Sequence, residues 1–478
     1  MKNIFLLSIT FFAFSISAQH KNAEKQILEA MDKTASKLIE KSKANSVSIG
    51  VVKNGKTYTR HYGEIDKGKY NTANNNTVFE VASVTKLFTG LLMAQAVTEG
   101  KVNPEDDIRK YITGSYPNLE YQGIPIKIKD LVSFRSGFEK DLPDNSELRK
   151  NRNDTSYLAF KKMDDDYSRE KFFEDLKKMK LDTVPGTKFK YCNGSLNLAA
   201  HMLENIYQKS YETLLKENIL SKLNMNNSGI TLNKEAVIAN GYNKKGVLMP
   251  NISDNLWMAA GGLKSTLSDL LKFINYELNT KNKIIKESQR NLLNSATGWN
   301  GYFWDFIQVD DNGQNCWKHG GAFGTQNMLI VYPERNFGLS IIVNISDDDT
   351  GNALGEAIIY ITNELLADTH KQTGIYGYEL KDENVVFTYE HDKLLNPDLV
   401  KSVSIAGSFD NWNPEDKDFQ MIRKNKNSFE LKIPKSKFEK NKTYMFKFVI
   451  NKTGWVEAPK NVVNIENGPD KNLLMILQ

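Results

Sequence analysis

The chain has 478 residues, 40% of them hydrophobic and 25% charged, an ordinary soluble composition with length for two or three domains. Its 63 Lys and Arg against 58 Asp and Glu leave a net charge of +5; no basic block with interleaved aromatics occurs, so nucleic acid is not an expected partner. Six histidines have no metal-ligand spacing, and neither a P-loop nor a dinucleotide fingerprint is present, so no metal or cofactor is expected.

The first 18 residues read as a secretory leader: Lys2 supplies charge, Ile4 to Ile16 an apolar core, and Ser17-Ala18 small residues for cleavage. That core is too short to span a bilayer and no later stretch approaches the required length, so the expected mature protein is secreted or periplasmic, with no stable membrane span. Lys21 to Lys43 has helical spacing, and Ser46 to Gly63 reads as a hairpin around Asn54-Gly55. Pro104 to Gly186 is polar, with short helices and loops. Helical patterning resumes at Gly194 and again after Ser265-Thr266; three strands then follow, in "NCWKHGG", "NMLIVYP" and "FGLSIIVNI", and a helix near Asn352 to Ala367. One hairpin early and three strands late predict a single antiparallel sheet built from both ends of this region and flanked by helices, with a helical subdomain, an α+β class. The texture changes at residues 369–378, a predicted linker, and residues 379–478 hold only short strand-like runs between Asn, Asp, Gly and Pro turns, as in a small all-β immunoglobulin-like sandwich.

Chemistry concentrates at "VASVTKLFTGLLMAQAVTEG". Ser83 and Lys86 lie three residues apart, so on a helix they share a face with side chains roughly 5–6 Å apart at their bases. The helix behind them is apolar nearly all round, hence a core helix. Burial disfavours an ammonium, and a neutral amine beside a hydroxyl is a base beside a nucleophile. Ser-x-x-Lys recurs at Ser168 and Lys171 in a charged segment, so the apolar context, not the spacing, separates the two copies. Two further stretches bear on the choice. In "PGTKFKYCNGS" a turn and a short strand are expected to lead into a helix, with Tyr191 and Asn193 on one side and Cys192 on the other; Asn193 is either a helix cap or an amide for lysine and substrate. In "KHGGAFG" a glycine pair permits close approach to a strand, beside His319.

Taken in order, Ser83–Lys86, Tyr191–Asn193 and His319–Gly321 resemble the three motifs of the serine β-lactamase and penicillin-binding-protein-like hydrolases, Ser-x-x-Lys, Tyr-x-Asn and Lys/His/Trp-x-Gly. The likeness covers Lys21 to Ala367, and the hydrolase domain is set at residues 19–368. It is nearest the branch of class C β-lactamases, D-alanyl-D-alanine carboxypeptidases, D-aminopeptidases and carboxylesterases. The resemblance implies an acyl-enzyme on Ser83, acid/base work by Lys86 and Tyr191, orientation of Lys86 and substrate by Asn193, and His319 at the head of the third motif. It also implies an oxyanion hole from the Ser83 and Ala322 amides, with Gly320 and Gly321 against the substrate. The substrate class implied is a small ester or amide. The alternatives are a carboxypeptidase or weak β-lactamase, or a non-catalytic penicillin-recognising or glycan-binding protein. His-Gly-Gly in place of Lys-Thr-Gly argues against efficient β-lactam hydrolysis, and a G-x-S-x-G elbow is absent.

The C-terminal run "VSIAGSFDNWNP", "YMFKFVINKTGWVEAP" and "NLLMIL" resembles the glycogen-binding domain of the AMP-activated kinase β subunit. The resemblance implies polysaccharide contacts through Trp412, Lys447, Trp455 and Asn472. Cys192 and Cys316 are the only cysteines; pairing is open to them in an exported chain.

Overall fold

The computed structural model describes residues 3–151, 153, 155–232, 236, 238–252, 258–310, 312–366, 374–391, 397–459, 462–466 and 470–477, with side chains from residue 22 onward. The chain divides into two units: Met1–Arg290 with Asn300–Phe306 and Cys316–Leu366, and Asn291–Trp299 with Ile307–Asn315 and Ala367–Gln478. The predicted linker at 369–378 lies partly outside the described residues.

The first element is one long helix, α1 (Asn3–Ser42), which takes in both the predicted leader and the predicted helix; the side chains of residues 1–21 lie outside those described. Among the described residues no helix is long and apolar enough to cross a membrane. Strands β1 (Ser46–Lys53) and β2 (Lys56–Gly63) form the predicted hairpin, and Asn54 and Gly55, at φ 52° and 75°, supply the left-handed turn that matches strand twist. They join β3 (Gly298–Trp299), β4 (Phe306–Asp310), β5 (Gly313–Gly321), β6 (Gln326–Tyr332) and β7 (Phe337–Val343) in one sheet of order β2-β1-β7-β6-β5-β4-β3. As expected, β1 pairs antiparallel with β7, which is distant in sequence (Val47 opposite Val343).

Side-chain alternation divides β1 between two helical layers. Val47, Ile49 and Val51 face α1 and α5 (Thr350–Leu366), packing with Ile27, Met31, Leu38, Ile358 and Ile361. Gly50 faces α4, the helix Leu267–Glu277; a Cβ there would meet Leu271 at 2.8 Å. The Thr266 hydroxyl accepts the Asp269 amide at 3.1 Å and starts α4 where Ser265-Thr266 predicted. Between this layer and the cleft runs α2 (Thr85–Thr98), buried from Thr85 to Ala96. Phe88 stacks on Phe273 of α4 at 4.2 Å, and Gly90 admits the Tyr302 carbonyl, which a Cβ would meet at 2.2 Å. Helix α3 (Gly194–Tyr207) follows the Tyr191 segment. The short strand expected before it is not formed: residues 188–193 hold no strand, and Lys190 instead gives its amide to the Phe134 carbonyl at 2.8 Å.

The second unit holds two four-stranded sheets. One runs β8 (Tyr378–Lys381), β9 (Asn384–Glu390), β12 (Ser428–Pro434) and β11 (Ile422–Arg423); the other joins β10 (Val403–Gly407), β13 (Thr443–Ile450) and β14 (Gly454–Trp455), with β15 (Leu473–Ile476) also on β13. Val385, Phe387, Ile405, Phe446 and Phe448 share one buried core.

One buried acid stands apart from the chemistry. Glu277, on α4, is 1% exposed with its carboxylate accepting from Gln289 Nε2 at 3.0 Å, and burial pushes its pKa up to about 8. The folded value lies above the unfolded one. Between roughly pH 4.5 and 8 the unfolded chain therefore releases a proton that the folded chain keeps, and stability falls across that window. Glu277→Gln is expected to raise Tm progressively from pH 5 to pH 9, with little effect at pH 4; a Tm difference that does not change with pH would contradict this.

Candidate active site

A cleft of about 820 Å³ opens in the first unit, lined among others by Ser83, Lys86, Arg149, Tyr191, Asn193 and His319. Its floor is a 3-10 turn, Ala82–Val84, that runs straight into α2. Ala82 is held at φ 44°, a strained conformation for a residue with a Cβ, immediately before the serine. Ser83 is the second residue of this turn, so its amide has no acceptor within the helix and is available at the cleft.

Lys86 lies one turn along, 1% exposed. Its Nζ sits 2.9 Å from Ser83 Oγ and 2.5 Å from the Ala260 carbonyl. Burial, then the neighbouring Lys318 charge, hold its pKa well below the ordinary lysine range. Tyr191 has its hydroxyl 2.8 Å from Ser83 Oγ, while 39% of the residue remains exposed along the cleft. Burial of the phenol, then the Asp305 carboxylate, push its pKa well up. Tyr191 donates to Ser83 Oγ, and Lys86 Nζ donates to Ser83 Oγ and to the Ala260 carbonyl; burial lowers the cost of Lys86 giving up a proton and raises that of Tyr191 doing so. Phe134, at φ 58°, stacks on Tyr191 with centroids 4.8 Å apart and fixes its ring.

Asn193 is the residue before α3, but its side chain makes no cap hydrogen bond. Asp141 does that work. One of its oxygens accepts the Gly194 amide at 2.9 Å and the other accepts Asn193 Nδ2 at 2.9 Å. One hydrogen of the Asn193 amide nitrogen is thus given to Asp141. Cys192 points away as expected, 2% exposed with Sγ 3.3 Å from the same carboxylate; it and Cys316 are buried thiols with no disulfide between them.

The third motif is displaced by one residue from its sequence register. Lys318, not His319, projects under the tyrosine. It is fully buried, its Nζ donating to the Phe303 carbonyl at 3.0 Å and Asp305 Oδ1 at 2.5 Å, and it lies 5.5 Å from the Tyr191 ring centroid. His319 Nε2 is instead 2.9 Å from Gln326 Oε1. Strand alternation is the reason: Lys318 and Gly320 share one face of β5, His319 and Gly321 the other. Gly320 packs flat against the nucleophile turn, where a Cβ would lie 2.3 Å from the Val81 carbonyl and 3.2 Å from the Ser83 nitrogen.

The same alternation bears on the second oxyanion donor. The Ala322 amide already donates to the Thr325 carbonyl at 2.8 Å. Counting back along β5, the His319 and Gly321 amides point to the opposite edge; that of His319 meets Asp305 Oδ2 at 2.8 Å, and Gly321 is one of the residues lining the cleft. The Ala322 amide expected at the oxyanion hole is thus already paired within the chain.

The second copy of the spacing is structural. Ser168 caps a surface helix, Arg169–Leu176, by accepting the Lys171 amide at 3.2 Å, and Lys171 pairs with Asp175. In the second unit Trp412 and Trp455 lie side by side with centroids 6.2 Å apart. Lys447 donates to Glu457 at 2.9 Å, and Asn472 is 6% exposed with its amide on Glu466 at 2.7 Å. Among the described residues no cluster of three or more His, Cys, Asp or Glu is arranged to hold a metal.

Gly320→Ala is expected to cost about 1–3 kcal/mol of stability through overpacking and to abolish acylation of Ser83. Gly321→Ala, where a Cβ meets nothing nearer than 3.6 Å, is expected to cost much less. Thermal unfolding and mass spectrometry of the two variants check the contrast.

A model of the beta-lactamase family matches residues 31–362. Protein flp of Staphylococcus aureus strain N315 is 26% identical over 331 residues, 67% of this chain and 64% of its own. Protein flp of strain MRSA252 is 26% identical over 321 residues, 65% and 61% of the two chains. A beta-lactamase of Pseudomonas fluorescens is 25% identical over 276 residues, 57% and 70%. The chain spans less than two thirds of the flp proteins it matches.

Proposed function

From its match over residues 31–362 the chain belongs to the beta-lactamase family, and we propose that it is an exported serine hydrolase cleaving a small ester or amide, of carboxylesterase or D-amino-acid peptidase type, through an acyl-Ser83 intermediate. The observation that carries this reading is Ser83 Oγ held 2.9 Å from a lysine amine and 2.8 Å from a phenol, the amine kept below its ordinary pKa by burial. Ser83 attacks the carbonyl carbon as its proton passes to Lys86, and the oxyanion forms against the Ser83 and Gly321 amides. Tyr191 gives its proton to the leaving oxygen or nitrogen, which leaves an ammonium and a phenolate facing each other across the ester. Water then attacks the ester, the phenolate takes its proton, and Lys86 returns a proton to Ser83 Oγ, so hydrolysis restores both groups.

A second reading within this chemistry, β-lactam hydrolysis, is favoured by Lys318, which brings a lysine to the third motif where the sequence register offered a histidine. For the C-terminal unit the proposed role is to hold the enzyme near a polysaccharide, supported by the paired indoles of Trp412 and Trp455, flat faces on which sugar rings stack. The buried side chain of Asn472 makes it the weakest of the four residues proposed for that contact.

Intact-mass spectrometry after exposure to a fluorophosphonate, p-nitrophenyl esters and a β-lactam is expected to show one adduct, on Ser83, absent in Ser83→Ala. An unmodified wild-type protein that turns over none of them would refute the enzyme reading. The pH dependence of kcat/KM is expected to fall on the acid side as Lys86 gains its proton, at a pH below the ordinary lysine range, and on the alkaline side as Tyr191 loses its own. Retention on amylose or glycogen is expected to be lost in a Trp412→Ala, Trp455→Ala double variant; undiminished retention would refute the stacking role.

A further inference from the structure

We propose that Arg149 is the specificity-determining residue of the cleft and receives a carboxylate carried by the substrate, so that the preferred substrates are acid-bearing esters or amides. This rests on the hydrolase reading above. Arg149 lies on the short helix Ser146–Lys150 and lines the cleft together with Asn145, Phe160 and Phe189. Its Nε donates to Asn145 Oδ1 at 2.8 Å, and its backbone amide to the Asn145 carbonyl at 3.0 Å. Asn145 is 6% exposed, although the helix it precedes buries no other residue. A buried amide thus grips one edge of an exposed guanidinium, and the two terminal nitrogens of the fork are left for a planar anion. No acidic side chain pairs with Arg149 among the described residues.

The other charges along the cleft are already committed. Lys86 is buried between Ser83 and Ala260. Asp305 is engaged by Lys318 and the His319 amide. Asp164 is buried and has an interaction of its own. Arg149 therefore supplies the field that an incoming substrate meets. Its charge also acts on Tyr191. Phe160 and Phe189 give the apolar wall that a short methylene chain between ester and acid would cover. The geometry suits a bidentate carboxylate; a phosphonate offers the same charge with tetrahedral oxygens.

The test compares kcat/KM for p-nitrophenyl butyrate with that for the mono-p-nitrophenyl esters of succinate, glutarate and adipate, and for a phosphonate-terminated ester. The wild type is expected to favour one of the acid esters by about five- to tenfold, the low end for a charge-assisted bond because Arg149 is exposed, with the preference fading as salt rises. Arg149→Gln should bring the ratio near one, Arg149→Glu should invert it, Arg149→Lys should keep part of it, and the neighbouring Lys150→Gln should preserve it. Titration of the same esters onto Ser83→Ala and Ser83→Ala, Arg149→Gln reads the contact without chemistry. A wild type that hydrolyses acid and neutral esters equally, or a ratio that survives Arg149→Gln, overturns the proposal. An affinity contrast in the Ser83→Ala pair with no turnover by the wild type would uphold Arg149 and overturn the hydrolase reading. Preference for the phosphonate over every carboxylate would overturn the assignment of the acid.

Discussion

The molecule's chemistry depends on keeping one amine out of water. An ammonium at the position of Lys86 has a single carbonyl, that of Ala260, and a serine hydroxyl for company, far less than its hydration shell supplied. Burial therefore favours losing the proton, and in the proposed reaction a lysine without its proton is the base. Everything packed around it maintains that condition. Helix α2 is apolar on all sides because it must be buried on all sides, and Gly90 lets the Tyr302 carbonyl close one of them. Had α2 carried a polar face, water would reach Lys86 and the amine would revert to a surface cation.

Around this dry amine lie two carboxylates that touch neither nucleophile nor base. Asp305 pairs with Lys318 and accepts the His319 amide of β5. Asp141 ties Cys192, Asn193 and Gly194 to one point, and so determines where Tyr191 enters the cleft. After burial itself, both raise the energy of a Tyr191 phenolate, which suits the proposed division of labour with the tyrosine as acid and the lysine as base.

Much of this was legible in the chain. Ser83 with Lys86, the apolar helix, the Asn54-Gly55 hairpin and the α4 cap are local patterns whose periodicity carries its own geometry. Asp141, Asp305 and Ala260 were not, because each reaches the site from a distant segment and has no spacing to betray it. The third motif shows a subtler limit. Lys318 and His319 are adjacent, each fits the family pattern, and a strand puts neighbours on opposite faces. Only the packing of Gly320 on Val81 decides which of them faces Tyr191. The strand expected before Tyr191 failed for lack of a neighbour: its Lys190 amide found a single carbonyl rather than a ladder.

The state of the two sulfurs has a practical side. Cys192 and Cys316 are buried thiols, and burial together with the Asp141 carboxylate pushes the Cys192 thiol up, away from the reactive thiolate. Folding of this chain therefore waits on no oxidant, and a reducing cytosol is open to its production. Its native cysteines also need not be removed before labelling: a cysteine introduced on the rim of the cleft would be the one an alkylating dye finds first, giving a single-site optical reporter of substrate entry.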